Sequence, residues 1–167
     1  MKSNSINSEG SDYNTAITTT AIPTIGKWYA EICMTRTATS AATRSGIGIM
    51  SNESVISSKG AALFYATSGS AYAYNANGQI CQAPGTFTNY GSSYSNTDII
   101  GIFYDADAGS LTFYKNGVSQ GIAFIGIIGQ YYFSVGYWGD FVANFGQNPD
   151  FSGTKTGGGA RHSDANG

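Results

Sequence analysis

Asp105 and Asp107, followed by Gly109, form the arrangement in this chain that most invites chemistry. Oxygen donors at alternate positions are how short calcium loops begin. The run lacks the bidentate glutamate that such loops place further on, and the acids stand between two strand-like segments. A turn closed by Asp side-chain-to-backbone hydrogen bonds, with Gly109 at positive φ, accounts for the same residues. Asp105 and Asp107 are kept only as a weak metal-site candidate.

The other ingredients of catalysis are sparse. His162 is the one histidine. It sits in a polar tail, which leaves no base for a Ser–His or Cys–His pair. No His/Cys cluster has zinc spacing, and no cofactor is expected. A glycosidase needs two carboxylates facing each other across a groove. Glu31 with Asp140 or Asp98 is the conceivable pair, but Glu31 reads as a strand residue facing solvent. Cys33 and Cys81 read as two small buried apolar residues rather than a disulfide framework.

What remains is surface aromatics. Tyrosine is amphipathic and loses little entropy on binding, which suits contact with protein or sugar. Tyr65, Tyr72, Tyr74, Tyr90, Tyr94, Tyr137 and Trp138 lie in or beside loop-rich segments. Arg36 and Arg44 flank a polar loop and supply charge. Trp138, next to Gly139-Asp140, is the leading single contact candidate, with Asp140 beside it.

These residues need a scaffold, and composition points to strands. The 167 residues include 23 Gly, 12 Tyr and 9 Phe, and no window sustains a helical period. Aromatic and β-branched residues punctuated by glycine favour an all-β chain. The length is that of one domain with a sizeable core. Only 11% of residues are charged, the net charge is −2, and the eight Lys+Arg form no stripe. That argues against nucleic-acid binding. No apolar stretch approaches the ~20 residues of a membrane span. The N-terminal residues have no apolar signal-peptide core.

The clearest element is Asp98 to Phe124, three strands with both turns spelled out. Asn116-Gly117 is the pair that a type I′ hairpin turn prefers. It sets Lys115 opposite Val118, Phe113 opposite Gln120 and Leu111 opposite Ile122, so Leu111, Phe113, Val118 and Ile122 share a face. Upstream, Asn14–Ile22 reads as an edge strand ended by Pro23. Gly26–Met34 places Trp28, Ala30, Ile32 and Met34 on one face, with Trp28 as a core anchor. Ser45–Met50 is a short strand whose glycines allow close backbone approach. Ala61–Ala66 and Ser70–Asn75 read as short strands, and Gln79–Tyr94 as loop. Tyr131–Trp138 alternates, Gly139-Asp140 is a turn, and Phe141–Phe145 is the last strand. Residues 1–12 and the Gly-rich 152–167 read as flexible flanks of a sandwich over 13–151.

Three segments then resemble the SPRY domain: Gly26-Lys-Trp-Tyr-Ala-Glu-Ile, the Asp98–Phe124 meander with Phe113-Tyr-Lys-Asn-Gly-Val-Ser-Gln-Gly121, and Asn144-Phe-Gly-Gln-Asn-Pro-Asp-Phe151. The resemblance implies a concanavalin A-like fold, an antiparallel β-sandwich jelly roll with a recognition surface of long loops, and a non-enzymatic binding module. The Ser/Thr/Gly/Tyr-rich flavour is similar to SPRY-like modules of bacteriophage structural proteins. One departure is Asp150, inserted where the family usually runs from Pro to Phe. The expected function is therefore a virion-associated recognition or structural module, in a capsid decoration or tail fibre. Its partners would be virion proteins or a host-surface protein or glycan, and it could form a homo-oligomer. Contact would run through loops 35–44, 51–60, 76–95 and 137–140. The alternatives are an intracellular, cytoplasmic protein–protein adaptor and a lectin or polysaccharide-processing protein.

Overall fold

In the computed structural model, the described residues are 15–37, 45–52, 70–136 and 139–146, and they form eleven strands. In chain order these are β1 (Thr15–Ile17), β2 (Lys27–Thr37), β3 (Gly46–Met50), β4 (Ala71–Asn75), β5 (Gln79–Gln82), β6 (Thr86–Asn89), β7 (Ile99–Asp105), β8 (Ser110–Lys115), β9 (Val118–Phe124), β10 (Tyr132–Gly136) and β11 (Gly139–Asn144). They build two antiparallel sheets, one in the order β1-β10-β3-β4-β5-β6 and one in the order β11-β2-β7-β8-β9. The fold is the all-β, jelly-roll type of sandwich.

The core lies between the sheets and follows the period-2 pattern. Ile47, Ile49, Tyr74, Ile100, Ile102, Leu111 and Phe113 are fully buried. Each such aliphatic or aromatic side chain stabilises the fold by about 1.5–3 kcal/mol. Gly48 lies between β10 and β4, opposite Ser134 and Ala73. A Cβ there would run into the Tyr72 carbonyl oxygen and lie 2.8 Å from Ala73 Cα.

The Asn116-Gly117 turn has positive φ at both residues, 50° and 81°, and Lys115 pairs with Val118 as expected. Past Ser119 the expected register fails. Thr112 pairs with Ile122 and Leu111 with Phe124, through two register shifts. Each shift inserts one residue into β9, and Gly121, at φ +93°, absorbs the local bend. Ile122 therefore leaves the core face and is 64% exposed, with Val118 at 65%.

Five further expectations are corrected. Ala30, Ile32 and Met34 are buried, but Trp28 lies at the start of β2 and is 37% exposed, its Nε1–H donating to Ile25 O at 2.9 Å. The 35–44 loop begins later, because β2 continues to Thr37. Residues 79–89 are the β5–β6 hairpin, not a loop, turning at Pro84-Gly85. Gly139 and Asp140 open β11 instead of forming a turn. The edge strand read over 14–22 shortens to β1, followed by a lone bridge from Ile22 to Tyr131. The strand read over 61–66 and both terminal flanks lie outside the described residues.

Candidate functional site

Strand direction sorts the connections into two groups. The β2–β3, β4–β5, β6–β7, β8–β9 and β10–β11 connections leave from one end of the sandwich. The connection that follows Met50 leaves from the other. The ends of β2 and β10 and the starts of β3 and β11 thus share this end with residues 76–78 and 90–98, whereas the 83–85 turn and Ser51 lie at the other. Ser51 N–H donates to Ser70 O at 2.8 Å at that opposite end.

At the converging end the segment between β6 and β7 is fixed by tyrosines from beneath. Tyr74 projects from β4 into the core and is fully buried, with ring centroids 5.3, 5.2 and 5.4 Å from Tyr90, Tyr94 and Phe113. Its hydroxyl donates to Ser92 O. The Tyr94 hydroxyl lies 2.8 Å from Tyr74 O and 3.2 Å from Ser45 O. Tyr90 donates to Gly121 O and accepts from Phe113 N–H at 3.3 Å. Burial, then Tyr90 and Asp98 nearby, pushes the Tyr74 phenol up to about 12. Complete burial holds Tyr94 well above the ordinary tyrosine value. These phenols stay neutral donors, which suits struts.

The rim above the struts is polar. Ser92 N–H donates to Gln120 Oε1 at 3.0 Å, and Lys115 Nζ donates to Ser93 O at 2.6 Å. Asp98 accepts from Asn116 Nδ2 at 2.7 Å and Ser95 N–H at 2.9 Å, and lies 3.5 Å from Lys115 Nζ. Partial burial pushes the Asp98 carboxyl up, but the hydrogen bonds from Asn116 and Ser95 and the Lys115 charge outweigh it. The net result is a pKa below the usual carboxylate value. Asn116 Oδ1 also accepts Ile99 N–H at 2.9 Å, so one turn residue ties β8–β9 to the start of β7. Thr97 has φ 72°, a left-handed conformation that a β-branched residue rarely adopts, and its N–H donates to Met34 O at 3.0 Å.

Of the residues expected to contact a ligand, Tyr72, Tyr74 and Tyr94 are corrected to core residues, 9%, 0% and 5% exposed. Tyr72 packs on Phe124 and Tyr131 at 5.0 and 5.8 Å. Alternation with Ala71 and Ala73 put Tyr72 and Tyr74 on one face of β4, and that face points inward, while Tyr94 is buried from the segment between β6 and β7. Tyr90 is half-buried at the rim. Asp140 pairs with Arg36 across β11 and β2, and its carbonyl accepts from Thr35 Oγ1 at 3.3 Å. Tyr65, Arg44, Tyr137, Trp138 and the Arg36 side chain lie outside the described residues.

Asp105 and Asp107 close a turn. Asp105 Oδ1 accepts Ala108 N–H at 3.0 Å and its carboxylate lies 3.4 Å from Lys27 Nζ, while Asp107 Oδ1 accepts Gly26 N–H at 2.9 Å. Gly109 has φ 61°. The turn sits at the end away from the rim. Among the described residues no group of three or more metal-type side chains converges. Glu31 does not face Asp98 or Asp140 as a catalytic pair. Its carboxylate takes Asn144 Nδ2 at 3.2 Å and the Tyr29 hydroxyl at 3.4 Å.

Sequence reading missed Asp98, Lys115, Gln120 and Thr97 as rim residues. The signal was present in the Asn116-Gly117 turn, which fixes where β7, β8 and β9 end together. Chemically, the rim offers hydroxyls, amides and carbonyls on a rigid base, an arrangement for binding.

Two comparisons bear on this arrangement. The SPRY domain family model matches residues 27–148. The crystal structure of the SPRY domain of human HERC1 superposes with a TM-score of 0.62 at 15% identity, over 82% of this chain and 85% of that one.

Proposed function

Because the chain belongs to the SPRY domain family, we propose that it is a non-catalytic, protein-binding module that recognises its partner with the loop end of the sandwich. The observation that carries the reading is the rim of residues 90–98, held on buried tyrosine struts and on the Asp98–Asn116–Lys115 cluster. A surface ordered before it meets a ligand loses less conformational entropy on binding. Ser92, Ser93, Ser95, Asn96 and Thr97 are exposed there, and uncharged hydroxyl and amide groups suit hydrogen bonding to a peptide backbone. Trp138 and Tyr137, on the connection between β10 and β11, are the aromatic anchors of this reading.

The test is a screen of short linear peptides and folded partners with the purified protein, repeated with Trp138→Ala and Thr97→Arg. The expected result is binding that weakens about tenfold or more in each variant, the size of a single interface hot spot. Binding that survives both variants overturns the loop-end assignment. Glycan-array binding lost in Trp138→Ala, with no protein ligand, replaces it with the lectin reading.

The virion form of this function, in a capsid decoration or tail fibre on a particle surface, rests on the Ser/Thr/Gly/Tyr-rich composition of the chain and its low charge. Capsid or tail genes beside this one, and co-sedimentation of the protein with particles, are its expected outcomes. Neighbouring genes of another kind, with no co-sedimentation, leave the cytoplasmic adaptor.

A further inference from the structure

Three side-chain amides form a chain on the outer face of the six-stranded sheet, beside the 90–98 rim. Ile80 packs on the core, so Gln79 and Cys81 face away from it, as do their β6 partners Asn89 and Phe87. Gln79 stands in the middle of the chain. Its Oε1 accepts from Asn77 Nδ2 at 2.8 Å, and its Nε2 donates to Asn89 Oδ1 at 3.1 Å. Main-chain bonds tie this corner to the rim: Gly78 O accepts Tyr90 N–H at 3.1 Å and Gly91 N–H at 2.9 Å. One backbone group sets the direction of the whole chain. The Gln79 N–H donates to Asn77 Oδ1 at 3.1 Å. A backbone N–H can only donate, so the oxygen of the Asn77 amide must face it and the nitrogen must face Gln79 Oε1. The same constraint passes through Gln79 to Asn89. All three amide oxygens are then engaged within the chain. The Asn89 nitrogen, at the exposed end, meets no acceptor among the described residues.

Phe87 stands two residues from Asn89 on the same face and is 38% exposed. Two residues of strand span about 7 Å, which is also the spacing of alternate residues in an extended peptide. Such a peptide offers carbonyl oxygens as acceptors and side chains as apolar groups, so a fixed donor and a ring at this spacing complement one stretch of it. We propose that this corner of β5 and β6 extends the recognition surface. Asn89 donates to a main-chain carbonyl of an extended partner peptide, and Phe87 packs on the side chain next to it. Asn77 and Gln79 are positioning residues that keep the Asn89 nitrogen turned outward. The inference rests on the protein-binding reading of the loop end and names the group on the partner that this corner reads.

Two measurements on the full chain test the proposal. In the first, NMR follows the side-chain amide protons of the native chain and of Asn77→Asp. The aspartate puts an oxygen where an N–H stood, so Gln79 turns its nitrogen toward it and Asn89 turns its own nitrogen toward Gln79. The expected result is a hydrogen-bonded, downfield proton on Asn89 in the variant alone. An Asn89 amide that the variant leaves unchanged overturns the positioning roles. In the second, an array of short random peptides is probed with the native chain, Asn77→Asp, Asn89→Asp, Thr88→Asp and Thr97→Arg. All four positions are exposed, so the variants fold, and circular dichroism checks that. Asn77→Asp and Asn89→Asp should each weaken peptide binding about tenfold, because each sets an oxygen against the peptide carbonyl. Thr88→Asp places the same charge on the opposite face of β6 and should leave binding unchanged. An equal loss in Thr88→Asp overturns the proposal, because charge alone then explains the effect. Binding lost in Thr97→Arg but kept in Asn77→Asp and Asn89→Asp overturns it while the loop-end reading stands. A native chain that binds no peptide overturns both.

Discussion

Thr97 is the residue at which local preference and fold disagree most. Its φ of 72° is unfavourable for an L-residue with a branched Cβ, a cost of roughly 1–2 kcal/mol. Glycine adopts the conformation freely but loses more entropy on folding, about 0.5–1 kcal/mol. Thr97→Gly should therefore raise stability by about 0.5–1 kcal/mol, read as a higher urea midpoint at unchanged slope. A stabilised variant that binds its partner less well would show that the strained side chain serves recognition. Asp98 carries a pH consequence. Its folded pKa is depressed, so its contribution is present above the unfolded value of about 4 and is lost as pH falls through the folded value. Urea midpoints between pH 5 and pH 2 should fall less steeply in Asp98→Asn than in the native chain. Asp105, Asp107 and Gly109 were legible from the sequence as a turn because Asx chemistry is local. Tyr74 and Tyr94 were not legible as struts, because tyrosine is equally at home at a core edge and at an interface. Only the opposing sheet decides between the two.

At the scale of elements, each turn motif predicted its own geometry and little beyond it. Asn116-Gly117 formed the expected hairpin turn and set the first two pairs of β8 and β9. The bulges beyond it depend on Gly121, whose role could not be read from alternation. Likewise Pro84-Gly85 looked like a loop breaker, and it turns the β5–β6 hairpin. Trp28 looked interior because its whole strand face is apolar, yet a strand's first residues outrun the opposing sheet. β3, by contrast, was legible, and Gly48 acts as expected. Gly48→Ala should destabilise by about 1–3 kcal/mol, since the obstructing atoms are backbone and cannot swing aside. Tyr94→Phe removes a buried donor from the rim support and should cost about 1–2 kcal/mol. Both are read by chemical denaturation.

For the molecule as a whole, the buried phenols predict an alkaline limit. Burial raises Tyr74 and Tyr131 each to about 12, and holds Tyr90, Tyr94 and Tyr104 above the ordinary value. A raised folded pKa means the contribution is complete below the unfolded value of about 10 and is lost as pH rises toward the folded one. Tyrosinate absorbance should therefore rise in two stages, exposed rings first and buried rings only as the β signal in circular dichroism collapses. A single stage near the ordinary value would contradict the strut arrangement.

The double bulge of β9 has a consequence for colloidal behaviour. β9 is the outer strand of its sheet, and a flat outer strand carrying Val118 and Ile122 would recruit other chains by strand addition. Here the bend interrupts the ladder, and the chain occupies its own free groups. Gln120 Nε2 donates to Val118 O at 3.0 Å, Gly121 N–H donates to Ser119 Oγ at 3.1 Å, and Tyr90 caps Gly121 O. The kink that defeated the sequence-derived register thus doubles as a guard against fibrillar assembly, on a chain whose low charge provides little electrostatic repulsion.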